Sequence, residues 1–392
     1  MLILYGTQTG NAKYVAEDIG RECTRRSIKA RVSSMDAYDI TQLPTEKIVI
    51  FVIATTGQGD PTSTMKISWK FLTRKDLPKG SLSDVNFTVF GLGDSSYEIF
   101  WAMARKLYQR MLQLGANCFH ERALGDDQHD FGYEAEYDPW LNSLWDSLYK
   151  IDPSLEPSSI KPEESIEDSI YNVQVFKSSE ISSLSEPDLK FYNESIKSKT
   201  TLDFYPDPLD VKSSKLYGSM KVNDTITSEE VFKSEDKETR HVELIFPENT
   251  VNYNPGDVCC IVPRNDAEIV KNFLQEQGLE PDDLLKITIN QDAVSSSVPM
   301  HFPPLIRADE LFEYWLDTCG VPNRYFFKVL AYYTDDEVRK PKLLELWSKT
   351  SEGKNEYYRY CYRQKRTYVE ILYDFSTTKL PLEYMIQLIG KL

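Results

Sequence analysis

The chain has 392 residues, 41% hydrophobic and 27% charged, which is enough for two or three domains with cores of their own. No apolar run approaches the roughly 18 residues that a bilayer span requires, so no membrane segment is expected. Its 61 acidic residues against 45 basic ones give a formal charge of −16, which argues against nucleic acid or an anionic membrane as a partner, since both are bound through positive potential; the acidity suits a basic protein partner, or solubility alone.

Met1 opens directly into the apolar run Leu2-Ile3-Leu4-Tyr5 with no basic leader before it, so no targeting segment is expected. From residue 1 to about 150, short β-rich runs alternate with helical stretches. The predicted strands are Leu2–Tyr5, Ala30–Ser33, Lys47–Ile53, Asn86–Phe90 and a short fifth at Asn117–Phe119; the predicted helices are Ala12–Arg26, Ser63–Arg74, Tyr97–Leu114 and Pro139–Tyr149. This alternation predicts an α/β domain built on an open, doubly wound, five-stranded parallel sheet.

Residues 151–205 crowd Ser, Glu, Asp and Pro together, as in Pro157-Ser158-Ser159-Ile160-Lys161-Pro162-Glu163-Glu164, and read as a linker with too little apolar surface to repay ordering. Tyr171–Phe176 within it could pair with a neighbouring sheet. Residues 206–392 begin with strands at Lys215–Val222 and His241–Phe246, and Asn254-Pro255-Gly256-Asp257 is a turn into the strand Val258–Val262. Helices then follow at Asp266–Gln277, Ala308–Cys319, Tyr325–Tyr333, Lys340–Ser348 and Tyr368–Tyr373. The six cysteines form no C-x-x-C and the four histidines are scattered, which gives no metal signature and points to a reducing, cytoplasmic setting.

Four loops carry the chemistry. After the first strand, Thr7-Gln8-Thr9-Gly10-Asn11-Ala12 runs straight into a helix. The helix start offers unpaired N–H groups and a positive dipole end, and Thr7, Thr9 and Asn11 add donors that can ring a phosphate; the alternative is an ordinary capped βα turn. The missing Gly-Lys-Ser/Thr excludes the nucleoside-triphosphate P-loop. After the third strand comes Ala54-Thr55-Thr56-Gly57-Gln58-Gly59-Asp60-Pro61, against which a planar ring could lie, and Gly57 could turn its carbonyl toward the N5–H of a reduced flavin.

The fourth strand ends in Gly91-Leu92-Gly93-Asp94-Ser95-Ser96-Tyr97. Its likeness to a dinucleotide G-x-G-x-x-G fails for want of a third Gly and of an acidic residue at the right distance. It suits a second wall of a flavin site, with Tyr97 stacked on the ring, although a lone Tyr is more often core packing. Leu124-Gly125-Asp126-Asp127-Gln128-His129 follows the fifth strand. All four loops fall at the carboxyl edge of one sheet, where such folds bind ligands. Asp94, Asp126 and Asp127 there would disfavour added negative charge on a bound ring.

These four loops resemble the FMN domain of diflavin reductases, and in particular the branch that serves cytosolic iron–sulfur protein assembly. Cytochrome P450 reductases carry Tyr where this chain has Thr56. In the second half, Tyr253-Asn254-Pro255-Gly256-Asp257 resembles the family's FAD-domain strand. Tyr360-Cys361-Tyr362-Arg363-Gln364-Lys365-Arg366-Thr367 resembles its Tyr-Cys-Asn-Arg-x-x-Arg segment, and Leu380-Pro381-Leu382-Glu383-Tyr384 follows in register.

The resemblance implies a flavodoxin-like FMN domain at 1–150, the linker at 151–205, and at 206–392 an incomplete FAD domain made of a β-barrel start and a helical connecting region. It implies FMN on Thr7 to Ala12, Ala54 to Gly57, Leu92 to Tyr97 and Asp127, and FAD near Arg363, Lys365 or Arg366, where a solvated basic helix start is the other reading. It further implies that the FAD-gripping Arg-x-Tyr/Phe-Ser motif and an NADPH-binding domain are absent from a chain that stops at Leu392, so that this chain alone is expected to lack NADPH turnover. The family's electron path runs from NADPH to FAD to FMN to an iron–sulfur acceptor of the anamorsin type, with no acid–base triad. A flavin-binding module that docks this partner without turnover, or a donor of the P450-reductase kind, are the alternatives.

Overall fold

A computed structural model of the chain describes residues 1–197, 218–231, 238–247, 251–256, 259, 261, 263–291, 293 and 299–392. They fall into two compact units, Met1–Lys197 with Asn265–Leu392, and Ser198–Arg264.

The first unit opens with β1 (Leu2–Gly6), α1 (Asn11–Arg25), β2 (Arg31–Ser34), β3 (Ile48–Ala54), α2 (Lys66–Leu72), β4 (Asn86–Gly93), α3 (Ala102–Gln113), β5 (Asn117–Cys118), β6 (Ala123–Asp126) and α4 (Glu134–Ile151). The strands pair in parallel in the order β2-β1-β3-β4-β5, the flavodoxin-like doubly wound order. Helices cover both faces, so β3 can be a continuous apolar run, Ile48–Ala54, with its first six residues buried.

Alternate residues sort the two sides. Leu4, Phe51 and Val89 stand in register and pack with Met103, Leu107 and Met111 of α3. Tyr5, Val52 and Phe90 face Ala12, Val15 and Ile19 of α1 and Tyr137, Trp140 and Leu144 of α4.

The sheet has six strands, not five: β5 pairs with β4 at Asn86–Phe87, and β6 pairs further along the same flank at Phe90–Gly93. Leu124–Asp126 read as loop because Gly and paired acids resemble a turn. Pairing along β4 overrides that propensity, so the fourth loop starts at Asp127. α3 begins at Ala102 rather than Tyr97, since the carboxylates of Asp126 and Asp94 accept from the amides of Ser95 and Ser96 and hold that stretch as a turn. α4 begins at Glu134 rather than Pro139, which lies inside the helix instead of opening it.

Within the stretch read as linker, β7 (Tyr171–Phe176) and α5 (Glu186–Phe191) are formed. The second unit contains a hairpin, β8 (Ser219–Thr225) against β9 (Arg240–Ile245), antiparallel with an irregularity between Met220 and Val222. Gly256 takes φ +96°, a left-handed backbone that glycine adopts at little cost; the end of the expected turn at Asp257 and most of the strand expected at Val258–Val262 lie outside the described residues.

The first unit resumes with α6 (Ala267–Glu276), β10 (Leu284–Ile289), β11 (Ile306–Arg307), α7 (Ala308–Tyr314), α8 (Arg324–Tyr333), α9 (Lys340–Trp347), α10 (Ser351–Tyr357), α11 (Tyr368–Asp374) and α12 (Leu382–Leu388). β7 pairs antiparallel along the whole of β10, with β11 on the other side. The helices close around Phe312, Phe326, Phe327 and Leu330. No helix among the described residues is long and apolar enough to cross a membrane.

Candidate functional site

At the carboxyl ends of β1, β3, β4 and β6 lies a cleft of about 400 Å³. Its walls are Gln8, Thr9 and Asn11 from the first loop, Ala54 to Gln58 from the second, Leu92, Gly93, Asp94, Tyr97, Ile99 and Phe100 from the third, and Asp127 and Tyr133 beyond β6. The cleft straddles the switch between β1 and β3, where the chain leaves in opposite directions and helices part to make room for a ligand.

The first loop is built to leave donors free. Gly10 sits at φ +98° with open space where a Cβ would be. Its amide donates to Thr7 Oγ1 at 3.0 Å, while Thr7 itself is tied through its own amide to Thr64 Oγ1 at 2.8 Å. α1 therefore starts with no side-chain cap and no acidic residue in its first turn. An uncapped 15-residue helix whose first N–H groups open beside Thr9 and Asn11 fits an anion such as a phosphate.

The second loop is a five-residue turn closed by Thr56 and Asp60, whose amides and carbonyls exchange hydrogen bonds at 2.8 and 3.2 Å. Gly57 and Gly59 supply the positive φ it needs, +52° and +85°. Thr55 Oγ1 accepts from the amide of Met103 at 3.2 Å and so ties the loop to α3.

In the third loop Tyr97 is 64% exposed at the mouth of the cleft, so it is not core packing. A large ring left in water beside two glycine-containing walls suits stacking on a planar ligand. Phe100 lies against Trp101 with ring centroids 4.3 Å apart, and Trp101 Nε1 donates to the carbonyl of Gly125 at 2.7 Å.

Burial pushes the Asp127 carboxyl above its ordinary pKa; a hydrogen bond from Tyr362 opposes this, and neighbouring Asp94 reinforces it. Burial pushes Asp126 in the same direction, but hydrogen bonds from Ser95 and from the Gln128 amide outweigh it and hold that carboxyl low. One acid of the pair is spent on the turn, and the other faces the cleft.

Of the residues expected from sequence, the cleft gathers Gln8, Thr9, Asn11, Ala54, Thr55, Thr56, Gly57, Leu92, Gly93, Asp94, Tyr97 and Asp127. Thr7, Gly10, Ser95 and Ser96 shape the turns behind it, and Ala12 is wholly buried in the core under α1. Arg363, Lys365 and Arg366, expected near FAD and not in this cleft, are not among its lining residues. Arg363 stands 3.7 Å from Asp130, Lys365 places its ammonium 4.3 Å from the Tyr362 ring centroid, and Arg366 pairs with Asp374.

Sequence reasoning missed Gln58, Ile99, Phe100 and Tyr133, which line the cleft, and Tyr362, which donates to Asp127. The run Tyr97-Glu98-Ile99-Phe100-Trp101 is a signal for Ile99 and Phe100, hidden when it was read as helix. Nothing local marks Tyr362, which arrives from 235 residues further on.

The segment from Asp127 to Asp138, the fourth loop and the start of α4, is gripped by α8, α10 and the turn after α10. Tyr358 donates to the carbonyl of Phe131 at 2.9 Å, Lys354 stands 2.5 Å from Asp138, and Arg324 donates to Glu134 at 2.8 Å. A second cavity, of about 300 Å³ between α1 and the helices α8 and α9, is walled by charges that largely answer one another, with Arg21 on Asp18 and Arg25 on Glu22.

Residues 3–140 match the flavodoxin family and residues 219–392 match the FAD-binding domain family. The chain is 35% identical over its whole length to NADPH-dependent diflavin oxidoreductase 1 of Arabidopsis thaliana, covering 62% of that protein. It is 36% identical over 97% of its length to the protein of the same name from Danio rerio, covering 60% of it. The chain thus spans about three fifths of the length of these relatives. A solved flavodoxin of Streptococcus pneumoniae TIGR4 aligns with 38% of this chain and 97% of its own at 21% identity, with a TM-score of 0.33.

Proposed function

The chain belongs to the diflavin oxidoreductases, and from that premise we propose that it holds FMN in the cleft at the strand ends and works as the flavin-carrying part of an NADPH-dependent electron donor. Its flavodoxin domain implies FMN, its FAD-binding domain implies FAD, and the family implies NADPH as the source of electrons. The observation that carries the reading is the convergence of four loops on one sheet edge beside a helix start that the chain leaves uncapped.

A bound flavin supplies one- and two-electron transfer; the chain supplies binding, orientation and charge. The N-terminus of α1 with Thr9 and Asn11 would hold the phosphate, and Tyr97 and the Thr56–Gly57 peptide would flank the ring. Asp94 and Asp127 would place negative charge beside it, making the fully reduced, anionic ring harder to reach. The acceptor is an iron–sulfur protein of the anamorsin type in cytosolic cluster assembly. The family resemblance supports that choice, and Thr56 in place of Tyr speaks against a P450-reductase role.

Titrating the purified 392-residue chain with FMN should quench flavin fluorescence to saturation at one FMN per chain. A chain that never saturates overturns the proposal. Gly57→Ala should raise the FMN dissociation constant about three- to tenfold, because a side chain at positive φ costs on the order of 1 kcal/mol and the new Cβ would stand 3.0 Å from Asp60 Oδ2. An unchanged constant would remove this peptide from the flavin's surroundings.

A further inference from the structure

One lining residue of the flavin cleft, Asp127, is held from the helical half of the same unit. Tyr362, in the turn after α10, directs its hydroxyl at both carboxylate oxygens of Asp127, 3.2 and 3.4 Å away. Its ring is fixed among others, with centroids 5.0 Å from Tyr358 and 6.4 Å from Tyr357. The loop is moulded onto the same segment: a Cβ on Gly132, which sits at φ +51°, would overlap the Tyr358 hydroxyl. Asp127 is therefore presented to the cleft by a hydroxyl held on a rigid aromatic cluster.

A carboxylate at the cleft wall accepts from a ring N–H or a ribityl hydroxyl most strongly while ionised, and protonation turns one of its two acceptor oxygens into a donor. Burial, Asp94 and Asp126 all oppose that ionisation; Tyr362 and Lys365 favour it. We propose that Tyr362 is a positioning residue for the flavin cleft, holding Asp127 as an aimed acceptor so that docking of the α10 segment and flavin binding support each other. This rests on reading the cleft as the FMN site.

The test is FMN affinity as a function of pH for the full chain and for Tyr362→Phe, Asp127→Asn and the double variant. Tyr362→Phe keeps the ring contacts and loses only the hydroxyl. It should weaken FMN binding about three- to tenfold near neutral pH. It should also move the acid fall in affinity to higher pH, since the donor that favours the ionised carboxyl is gone.

Asp127→Asn should retain only the titration of the FMN phosphate, near pH 6. The double variant should bind no worse than Asp127→Asn alone, because one interaction cannot be lost twice. A Tyr362→Phe profile superimposed on that of the parent chain, or additive losses in the double variant, overturns the proposal. A parent chain that binds no FMN overturns the flavin reading itself, a result no behaviour of the variants can imitate.

Discussion

Replacing Arg324 by methionine is expected to lower stability by about 3–5 kcal/mol, the cost of leaving a buried charge without its partner. Arg324 is 6% exposed. Its Nε donates to Glu134 at 2.8 Å, its Nη2 stands 3.5 Å from Asp138, and its Nη1 donates to the carbonyl of Ser348 at 3.0 Å. Burial works against the guanidinium's charge, but Glu134 and Asp138 outweigh it and keep the group protonated. Lys354 completes the cluster at 2.5 Å from Asp138.

Without Arg324, Glu134 and Asp138 face one ammonium in a dry site. Burial already pushes the Glu134 carboxyl up, so its ionised form is disfavoured in the folded state. The deficit of the variant should be full above that raised pKa and shrink as pH falls through it and the group takes up a proton. Urea midpoints at pH 8 and pH 5 measure both effects. A loss under about 1 kcal/mol at pH 8, or one that grows on acidification, would show that the cluster does not hold α4 to α8. Arg324→Lys should recover only part of the loss, because an ammonium cannot span the three acceptors.

The second large effect is expected at Gly93, the last residue of β4. A Cβ there would overlap the Trp101 indole, whose Nε1 is committed to Gly125 and whose ring carries Phe100. Gly93→Ala must push that indole aside, break its hydrogen bond to β6 and disturb the wall formed by Tyr97, Ile99 and Phe100. Overpacking of roughly 1–3 kcal/mol predicts a loss of FMN affinity of about tenfold or more. Fluorescence titration measures it. Retention of the parent affinity would mean that the third loop gives way without cost and that the cleft does not depend on its shape.

The parallel sheet was legible because its signals are local. A strand buried on both faces must read as a continuous apolar run, as Ile48–Ala54 does, and the loops at its carboxyl edge announce themselves through Gly57, Gly59 and Gly93, where the backbone needs room. β6 was not legible, since Ala123–Asp126 has the composition of a turn and is a strand only because β4 lies beside it. Glu134 to Asp138 likewise reads as a polar lead-in to Pro139. Its carboxylates become interior groups only once Arg324 and Lys354 arrive from 190 and 220 residues away. What escaped the sequence was contact between distant segments, which residue patterns do not encode.

The stretch from Asp127 to Asp138 serves two neighbours at once, lending one end to the cleft and the other to the ion cluster. A flavin-binding fragment excised at Ile151 would therefore bring the interior carboxylates of Glu134 and Asp138 into bulk water along with an uncovered aromatic flank around Tyr133. Such a minimal module would titrate and self-associate unlike its parent, and engineering it as a free-standing electron shuttle would require redesigning that flank before touching the cofactor loops.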